Sequence, residues 1–406
     1  MNICIITAGF LPETLGSSFQ LYNMCGHFSN MGHQVLLLCP DYSLEEEIYP
    51  AYRDYLGEIF PNVIVKPVPS QKNMLRPDKI KFQESGLWNL EAVIGEFIPE
   101  VIHVDDPDRI YGLALYGMDK TFAYRDRIAV EYAGRHGIPA AAYYQTNYPE
   151  FSRQVKPEHV VSPYMRDKNR VYQEVYKGYD KVLCSGRNAG EHLLLHGIDN
   201  VICGKFLGVN EAVFDSNSGN ADIKESESVK ILYAGRFDGG KDIRIVLELF
   251  REAASQNERV ELYLAGTGSP GTVDFVKAAC EKDRRIKYLG LLSQNELVEV
   301  YNSVDIYFSP HASDTFGLSV IEAMYRGLPV IVSNRGGPVD FVRHRGNGYV
   351  CETPGEYVLA LNALCSDKAL RRAFGRQSGI LAQVYKGELC AQRLIHTYNE
   401  LLKKVG

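Results

Sequence analysis

The sequence predicts an α/β protein of two Rossmann-like β/α/β domains, each a parallel sheet covered by helices on both faces. Short apolar runs alternate with amphipathic helical stretches along the 406 residues, which is more chain than one domain usually contains. These runs form two series, separated by a polar stretch over 205–228. We therefore predict a first domain over 1–204 and a second over 205–386.

The first series begins at the amino terminus. Its apolar runs predict strands near 2–7, 34–39, 101–104, 139–144 and 181–184. Between the first two strands, Gly16-Ser-Ser opens a helical pattern that Gly32 closes, so this part is a βαβ unit. The first run lacks a basic leader and is too short for a signal sequence or a membrane span, which favours a buried strand.

The second series lies in the carboxy-terminal half. Its apolar runs predict strands near 230–234, 259–265, 285–289, 304–308, 329–332 and 348–351. A last helix is predicted from Leu389 to Lys404, because apolar residues recur at helical spacing. These residues are Leu394, Ile395, Tyr398, Leu401 and Leu402.

Charge and cysteine content limit the function classes. A net charge of −6 and a pI near 6.0 argue against a general nucleic-acid binder, so we expect small-molecule partners. The nine cysteines are odd in number and scattered, without a C-x-x-C pair. They suggest neither a disulfide framework nor a zinc cluster, and a cytoplasmic location is expected.

The most informative segment is Asp314-Thr-Phe-Gly-Leu-Ser-Val-Ile-Glu322. Thr315 and Gly317 predict a cap and a turn before a helix that starts near Leu318. Its unpaired N–H groups and positive dipole end, with Phe316 and Gly317 in front, form a phosphate seat. Glu322 can accept hydrogen bonds from a vicinal diol, and Asp314 lies on the same side. A sugar nucleotide offers both a diphosphate and diols.

Two cations follow the first strand of the second series. Gly235-Arg236 and Lys241 come at its carboxyl end, where ligands bind in open parallel sheets. The Arg fork and the mobile Lys charge can together stabilise a departing diphosphate. As an isolated pair, they could equally be solvated loop charges.

Two glycine-rich turns have competing interpretations. Gly266-Thr-Gly268-Ser-Pro-Gly271 fits the dinucleotide fingerprint G-x-G-x-x-G, but Pro270 falls where the helix should open and the next strand, over 288–292, ends without an acid. A nicotinamide enzyme is therefore disfavoured. The turn 335–338, Arg-Gly-Gly-Pro, could bring backbone close to a ligand or be a plain turn.

These motifs resemble those of the retaining glycosyltransferases of family 4, also called group 1, whose signature is carboxylate-x7-Glu. That family usually has Glu where this chain has the shorter Asp314. The resemblance implies a GT-B fold, with two facing Rossmann-like domains and a deep interdomain cleft. It also implies that the first domain holds the acceptor, the second holds the nucleotide sugar, and a carboxy-terminal helix over 387–406 packs back on the first domain.

The resemblance assigns roles to single residues of the second domain. Arg236 and Lys241 would bind the donor phosphates, Asp314 the sugar and Glu322 the ribose. The donor-binding set it implies is Gly16, Ser17, Gly235, Gly266, Gly268, Leu291, Phe316, Gly317, Leu318 and Glu322. Leu291 belongs to a loop expected to close on the nucleotide base.

In the first domain, the segment over 143–151 resembles a family loop that carries a histidine near the reacting carbon. Gln145 stands in that place, and an amide cannot carry positive charge, so we hypothesise an altered sugar preference. A structural loop amide is the alternative. Asn147 of the same loop is predicted on the acceptor side.

An acidic run follows the strand near 101–104. Asp106-Pro-Asp108 contains D-x-D, a metal motif of another glycosyltransferase fold, but it lies far in sequence from the predicted phosphate cations. By resemblance the loop faces the acceptor, so His103, Asp105 and Asp106 are acceptor-side candidates. A solvated loop or helix cap for the acids, and a packed core histidine, are the alternatives.

Basic residues and tyrosines interleave over 153–181, a composition that could contact an anionic membrane with a lipid-linked acceptor. Acids dilute this pattern, and a solvated helix face explains it as well. Peripheral contact with the inner membrane face is thus one of two interpretations.

The sequence as a whole predicts a retaining, metal-independent glycosyltransferase without a cofactor. The expected partners are a nucleoside-diphosphate sugar, with UDP favoured by family frequency and GDP as the second choice, and a carbohydrate, lipid-linked or small-molecule acceptor. A nucleotide-sugar epimerase of related fold and a non-catalytic sugar-nucleotide or glycan-binding protein are the alternatives.

Overall fold

A computed structural model of the chain describes residues 1–13, 16–73, 76–82, 84–107, 128–145, 168–215, 228–238 and 240–405. Contacts divide the chain into two compact units. Unit 1 comprises Met1–Leu207 and Gly387–Gly406, and unit 2 comprises Gly208–Lys386. The contacts change unit after Leu207, whereas the sequence predicts a domain change after residue 204.

Unit 1 is built on an eight-stranded sheet in the order β10-β9-β8-β7-β1-β2-β4-β3. Its strands are β1 (Asn2–Thr7), β2 (Gln34–Pro40), β3 (Gly57–Phe60), β4 (Val63–Val68), β7 (Val101–Asp105), β8 (Ala140–Tyr144), β9 (Lys181–Cys184) and β10 (Val201–Cys203). All neighbours are parallel except β3 and β4. A separate antiparallel pair, β5 (Ser70–Asn73) and β6 (Arg76–Phe82), follows β4.

All five strands predicted for the first domain are present, within one or two residues at each end. The central strands are buried on both faces, which explains their uninterrupted apolar sequence. The accompanying helices are α1 (Gly16–Asn30), α2 (Glu84–Phe97), α3 (Ile128–His136), α4 (Lys168–Tyr176) and α5 (Arg187–Leu195). Two 3-10 segments, Tyr42–Glu45 and Tyr52–Tyr55, lie between β2 and β3.

Unit 2 is built on a six-stranded parallel sheet in the order β13-β12-β11-β14-β15-β16. Its strands are β11 (Val229–Ala234), β12 (Val260–Ala265), β13 (Ile286–Gly290), β14 (Ile306–Ser309), β15 (Val330–Ser333) and β16 (Gly348–Cys351). Numbered within the unit, the order is 3-2-1-4-5-6, that of a Rossmann fold. All six predicted strands are present.

The helices of unit 2 connect these strands. They are α6 (Glu211–Phe214), α7 (Ile243–Ala254), α8 (Pro270–Lys282), α9 (Gln294–Ser303), α10 (Leu318–Tyr325), α11 (Pro354–Ser366) and α12 (Lys368–Ala382), with 3-10 segments at Gly337–Asp340 and Gln383–Tyr385. Asp242 caps α7 by accepting a hydrogen bond from Arg244 N, and the helix buries an apolar stripe of Val246, Leu247 and Phe250 against the sheet.

The last helix, α13 (Gly387–Val405), packs against α1 within unit 1. Leu394, Tyr398 and Leu401 of the predicted apolar face are buried, and the ring of Tyr398 meets that of Phe28 with centroids 6.4 Å apart. The apolar residues that recur at helical spacing in the sequence therefore form the surface by which this helix packs on unit 1.

The predicted membrane-facing segment over 153–181 is only partly described, because residues 153–167 lie outside the described residues. Tyr172, Tyr176 and Tyr179 are 0%, 2% and 4% exposed and belong to the core of unit 1. For these three tyrosines the membrane interpretation is wrong, since buried rings cannot contact a bilayer, and the fourth tyrosine of the pattern, Tyr164, lies outside the described residues. Within the described ranges, no helix has the length and apolar character that crossing a membrane requires.

Candidate active site

The candidate site of unit 2 lies where the ends of β11 and β14 meet. These strands are neighbours, with Ile231 paired to Ile306, and the strand order reverses between them. Such a reversal leaves a crevice at the carboxyl ends of the strands. Gly235 and Arg236 follow β11, and the loop to Asp314 follows β14. The topology thus brings the two motifs of the second domain to one edge.

Lys241 and Asp314 form an ion pair at this edge. Lys241 Nζ lies 2.7 Å from Asp314 Oδ1, and the two side chains are 15% and 12% exposed. The second oxygen, Asp314 Oδ2, is buried and has no hydrogen-bond partner among the described residues. Ser313 Oγ donates to Gly240 O at 2.8 Å, which ties the two loops together. Arg236 is exposed beside them.

Helix α10 begins at Leu318, as the sequence predicts, but its cap differs. The capping residue is Gly317, whose φ of 92° is left-handed, and among the described residues no side chain caps this helix. The prediction that Thr315 is the cap is therefore wrong. A Cβ on Gly317 would also lie 2.7 Å from Pro338 Cγ, so both backbone and space require glycine. Val320 N and Ile321 N donate to Gly317 O at 3.0 and 3.2 Å, so the N–H groups of Leu318 and Ser319 are those of the first turn that can donate to an anion.

The turn Arg335-Gly-Gly-Pro338 supports the Asp314 loop. Gly337 N donates to Asp314 O at 2.6 Å, and a Cβ on Gly336 would lie 2.7 Å from the same oxygen. The glycines thus allow backbone to approach backbone. These contacts favour the alternative of a plain turn, which supports the loop that carries Asp314.

Glu322 lies one turn into α10 and is partly buried. The hydroxyl of Tyr301 on α9 lies 3.0 Å from Glu322 Oε2 and 3.2 Å from Ser319 O, so its single proton is available to either acceptor. Burial raises the pKa of Glu322 to about 7, and the Tyr301 hydrogen bond partly opposes this rise. The carboxyl is therefore poised to ionise when a ligand donates hydrogen bonds to it.

Tyr307 links the end of β11 to the first turn of α10. Its hydroxyl lies 3.0 Å from Ala234 O and 2.7 Å from Ser319 Oγ, in hydrogen-bond geometry with both. The sequence analysis did not single out Tyr301, Tyr307 or Ser319. The tyrosines fall at ordinary core positions of a helix and a strand, so only their contacts mark them.

His311 is a further residue that the sequence analysis missed. It follows β14 and is 2% exposed. Burial, together with the positive charge of Lys241, lowers the pKa of His311 to about 4, so its ring is neutral above about pH 5.

The glycines of the turn before α8 allow close packing within unit 2. A Cβ on Gly266 would lie 1.8 Å from Gly235 O, so the ends of β11 and β12 approach too closely for any side chain. Pro270 is the first residue of α8, a favourable position, so the argument that it obstructs the helix is wrong. The Asp238 carboxylate instead accepts a hydrogen bond from Ser269 N beside Gly268. A carboxylate at this helix start disfavours a phosphate there.

Leu291 follows β13 and is 60% exposed. The next helix, α9, starts with a capping box in which Ser293 and Glu296 bond reciprocally to each other's backbone. The exposed apolar side chain therefore stands on a well-anchored loop, a position that suits contact with a nucleotide base.

In unit 1, Asp105 is held at the end of β7. Thr7 Oγ1 lies 3.2 Å from Asp105 Oδ2, and Gln145 Nε2 donates to Asp105 Oδ1. Asp105 and Asp106 are 3% and 2% exposed. Gln145, half-buried, therefore positions a carboxylate, a contact that the sequence did not predict.

His103 is 0% exposed, and its Nδ1 lies 2.6 Å from the hydroxyl of Tyr398 on α13. This contact favours the alternative of a packed core histidine over an acceptor-side residue. Gly16 and Ser17 are the first two residues of α1, with Gly16 exposed and Ser17 half-buried. Asn147 and Asp108 lie outside the described residues.

Two family models match most of the chain. The model described as Glycosyltransferase Family 4 matches residues 16–203, and that described as Glycosyl transferases group 1 matches residues 217–379. The chain belongs to the family 4, group 1 glycosyltransferases. The family resemblance read from the Asp314–Glu322 motif is confirmed.

Curated relatives of this glycosyltransferase are similar along much of its length. A GDP-mannose-dependent alpha-mannosyltransferase of Mycolicibacterium smegmatis is 24% identical over 99% of this chain and 98% of its own. The sulfoquinovosyl transferase SQD2 of Arabidopsis thaliana is 23% identical over 89% of this chain and 66% of its own.

Solved structures share the fold of this glycosyltransferase. Sucrose-phosphate synthase of Thermosynechococcus elongatus has a TM-score of 0.71 at 16% identity, covering 99% of both chains. HepE of Anabaena, solved with UDP and glucose, has a TM-score of 0.68 at 14% identity, covering 98% of this chain and 100% of its own. The predicted GT-B fold is confirmed.

Proposed function

We propose that this glycosyltransferase is retaining and metal-independent, and that it transfers a sugar from a nucleoside-diphosphate sugar to a hydroxyl of a glycan, lipid-linked or small-molecule acceptor. One observation carries the proposal. A lysine, a carboxylate and a helix start without a side-chain cap meet where β11 and β14 end in unit 2. These are the groups that a diphosphate and a sugar require together.

The Lys241–Asp314 pair is proposed to open when the donor binds. The diphosphate binds the Lys241 ammonium, the Arg236 guanidinium and the first N–H groups of α10, since all three favour negative charge. Asp314 then accepts hydrogen bonds from the sugar. The Lys241–Asp314 ion pair thus balances the two charges until the donor replaces it.

Glu322 is proposed to hold the ribose. A vicinal diol that donates to the carboxylate stabilises its ionised form, so donor binding lowers a pKa that burial has raised to about 7. Tyr301 keeps the carboxylate oriented through its 3.0 Å hydrogen bond. Leu291 is proposed to contact the base.

The proposed reaction is a substitution on one face of the sugar ring. The bond between the anomeric carbon and the diphosphate oxygen breaks, and the acceptor oxygen bonds to the same face of that carbon. Arg236, Lys241 and the start of α10 stabilise the leaving diphosphate, and a phosphate oxygen takes the acceptor proton. The two side-chain cations supply the charge that a metal ion provides in other transferases, which is the basis for proposing metal independence.

The nucleotide is proposed to be UDP or GDP. Family frequency favours uridine, whereas the full-length relative named above is GDP-mannose-dependent. By resemblance, the acceptor is proposed to bind unit 1, and any membrane contact of a lipid-linked acceptor belongs to that unit.

Donor hydrolysis tests the proposal without the true acceptor. The protein is incubated with UDP- and GDP-sugars, with and without EDTA, and nucleoside diphosphate release is measured together with the anomer formed. We expect slow release from one donor class, unaffected by EDTA, with retention of configuration. Binding without release would indicate a sugar-nucleotide-binding protein, and an isomerised donor would indicate an epimerase.

A further inference from the structure

His311 is a polar residue in a buried position. It lies in the loop after β14, three positions before Asp314, and is 2% exposed. Its ring meets the Tyr233 ring edge-on, with centroids 5.4 Å apart. The end of the strand and this aromatic contact fix the imidazole at the edge of the sheet where Lys241 and Asp314 pair.

Two buried polar atoms of this loop lack hydrogen bonds. Neither His311 Nε2 nor Asp314 Oδ2 has a partner among the residues that the structure describes. Buried polar atoms of native proteins are nearly always paired, so two unpaired atoms within four residues of one loop need an explanation. A ligand that bonds both atoms explains them together.

The chemistry of the two atoms defines that ligand. Asp314 Oδ2 can only accept a hydrogen bond, while the His311 ring can present an N–H at Nε2. A hydroxyl group satisfies both, since it donates to the carboxylate and accepts from the imidazole. A sugar that lacks a hydroxyl at this position leaves both atoms unpaired. A sugar that carries a carboxylate there is repelled by the negative charge of Asp314.

We propose that His311 is a specificity-determining residue for the transferred sugar, and that its Nε2–H and Asp314 Oδ2 hold one hydroxyl of that sugar. The inference rests on the proposed function and deepens it. The sugar it selects is neutral and carries a free hydroxyl at the position in question. Burial beside Lys241 keeps the imidazole neutral, so His311 contributes a hydrogen bond rather than a charge.

Monodeoxy donors test the assignment. Hydrolysis is first measured with UDP-glucose and GDP-mannose, and then with the 2-, 3-, 4- and 6-deoxy analogues of the better substrate. For the natural protein we expect kcat/KM to fall about 100-fold at one position, because the deoxy donor leaves both orphans unpaired. In His311→Phe this discrimination should fall below about 5-fold, through loss of activity on the intact sugar.

The matched variant is His311→Gln, whose amide retains an N–H donor at similar reach. It should restore at least about 10-fold discrimination at the same position. Calorimetry with UDP and GDP should give affinities for His311→Phe within about twofold of the natural protein, since the proposal assigns this residue to the sugar and not to the nucleotide. If His311→Phe fails to fold, His311→Asn replaces it, because its amide is too short to reach the position of Nε2.

The outcomes separate the two claims. A deoxy profile that is unchanged in a folded His311→Phe or His311→Asn, with hydrolysis intact, overturns the role of His311 and leaves the proposed function standing. Failure of the natural protein to bind UDP or GDP or to hydrolyse any donor overturns the proposed function, and the assignment of His311 with it.

Discussion

Replacing Lys241 by Met removes the charge but nearly preserves the side-chain volume. The ion pair with Asp314 spans 2.7 Å with both side chains less than one-fifth exposed, so Asp314 would be left as an unpaired, largely buried carboxylate. Exposed pairs contribute about 0–1 kcal/mol and breaking fully buried pairs costs about 3–5 kcal/mol, so we expect an intermediate loss of about 2 kcal/mol. For a unit of this size, Tm should fall by about 4–8 °C.

The same variant should lose activity for a different reason. Without the lysine, the leaving diphosphate loses about 3 kcal/mol of transition-state stabilisation, and donor hydrolysis should fall by about two orders of magnitude. Adding Asp314→Asn should recover part of the stability, because the unpaired charge is gone, but should not recover turnover. Thermal unfolding and nucleoside diphosphate release measure the two effects separately.

Arg285→Met provides the matched control. Arg285 pairs with Asp283 at 2.8 Å in the same unit, away from the candidate site. This variant should lower Tm and leave donor hydrolysis within about twofold. Turnover within twofold of the natural protein in Lys241→Met, or a double variant less stable than the single one, would refute the reasoning.

Three further predictions concern the same site. Donor affinity should rise as pH increases through about 7, because Glu322 ionises. Calorimetry should show no dependence of donor affinity on pH in Glu322→Gln. In Tyr301→Phe the midpoint of the affinity change should lie at higher pH, because this variant loses the hydrogen bond that lowers the pKa of Glu322. In the absence of donor, Glu322 has a higher pKa in the folded protein, about 7, than in the unfolded chain, 4.5. Its contribution to folding stability is therefore fully present below pH 4.5 and is lost as pH rises through about 7. Thermal melts between about pH 4 and 9 should show this decline in Tm for the natural protein and not for Glu322→Gln. Gly336→Ala should cost about 3 kcal/mol and most donor hydrolysis, because φ is 86° and the new Cβ lies 2.7 Å from Asp314 O, whereas Gly271→Ala, with open space around it, should leave Tm unchanged or higher.

The fold could largely be predicted from the sequence, since strands buried on both faces form continuous apolar runs. Strands β3, β4 and β10, at the two ends of the unit 1 sheet, were missed for the opposite reason, whereas the edge strands β13 and β16 of unit 2 were predicted. The segment of β3 and β4 contains Pro61 and Pro67 with exposed charged residues, and β10 has only three residues. Short or proline-containing edge strands give little periodic signal.

The candidate site was predicted where one local motif defines it and missed where strands far apart in sequence meet. The Asp314–Glu322 spacing predicts the start of α10 because the turn and helix are local. The pairing of Lys241 with Asp314 depends on β11 lying beside β14, which no spacing reveals. In the sequence, His311 and Tyr307 resemble ordinary core residues. Only the structure shows that His311 Nε2 lacks a hydrogen-bond partner among the described residues and that the Tyr307 hydroxyl lies between two.

The account depends on a nucleoside diphosphate lying at the start of α10. Crystals grown with UDP, and separately with GDP, measure this most directly. We expect diphosphate oxygens of one of them within about 3.2 Å of the backbone N of Leu318 or Ser319, with Lys241 Nζ turned from Asp314 towards a phosphate. A diphosphate bound at the start of α8, or the Lys241–Asp314 pair left intact beside a nucleotide bound elsewhere, would contradict the account.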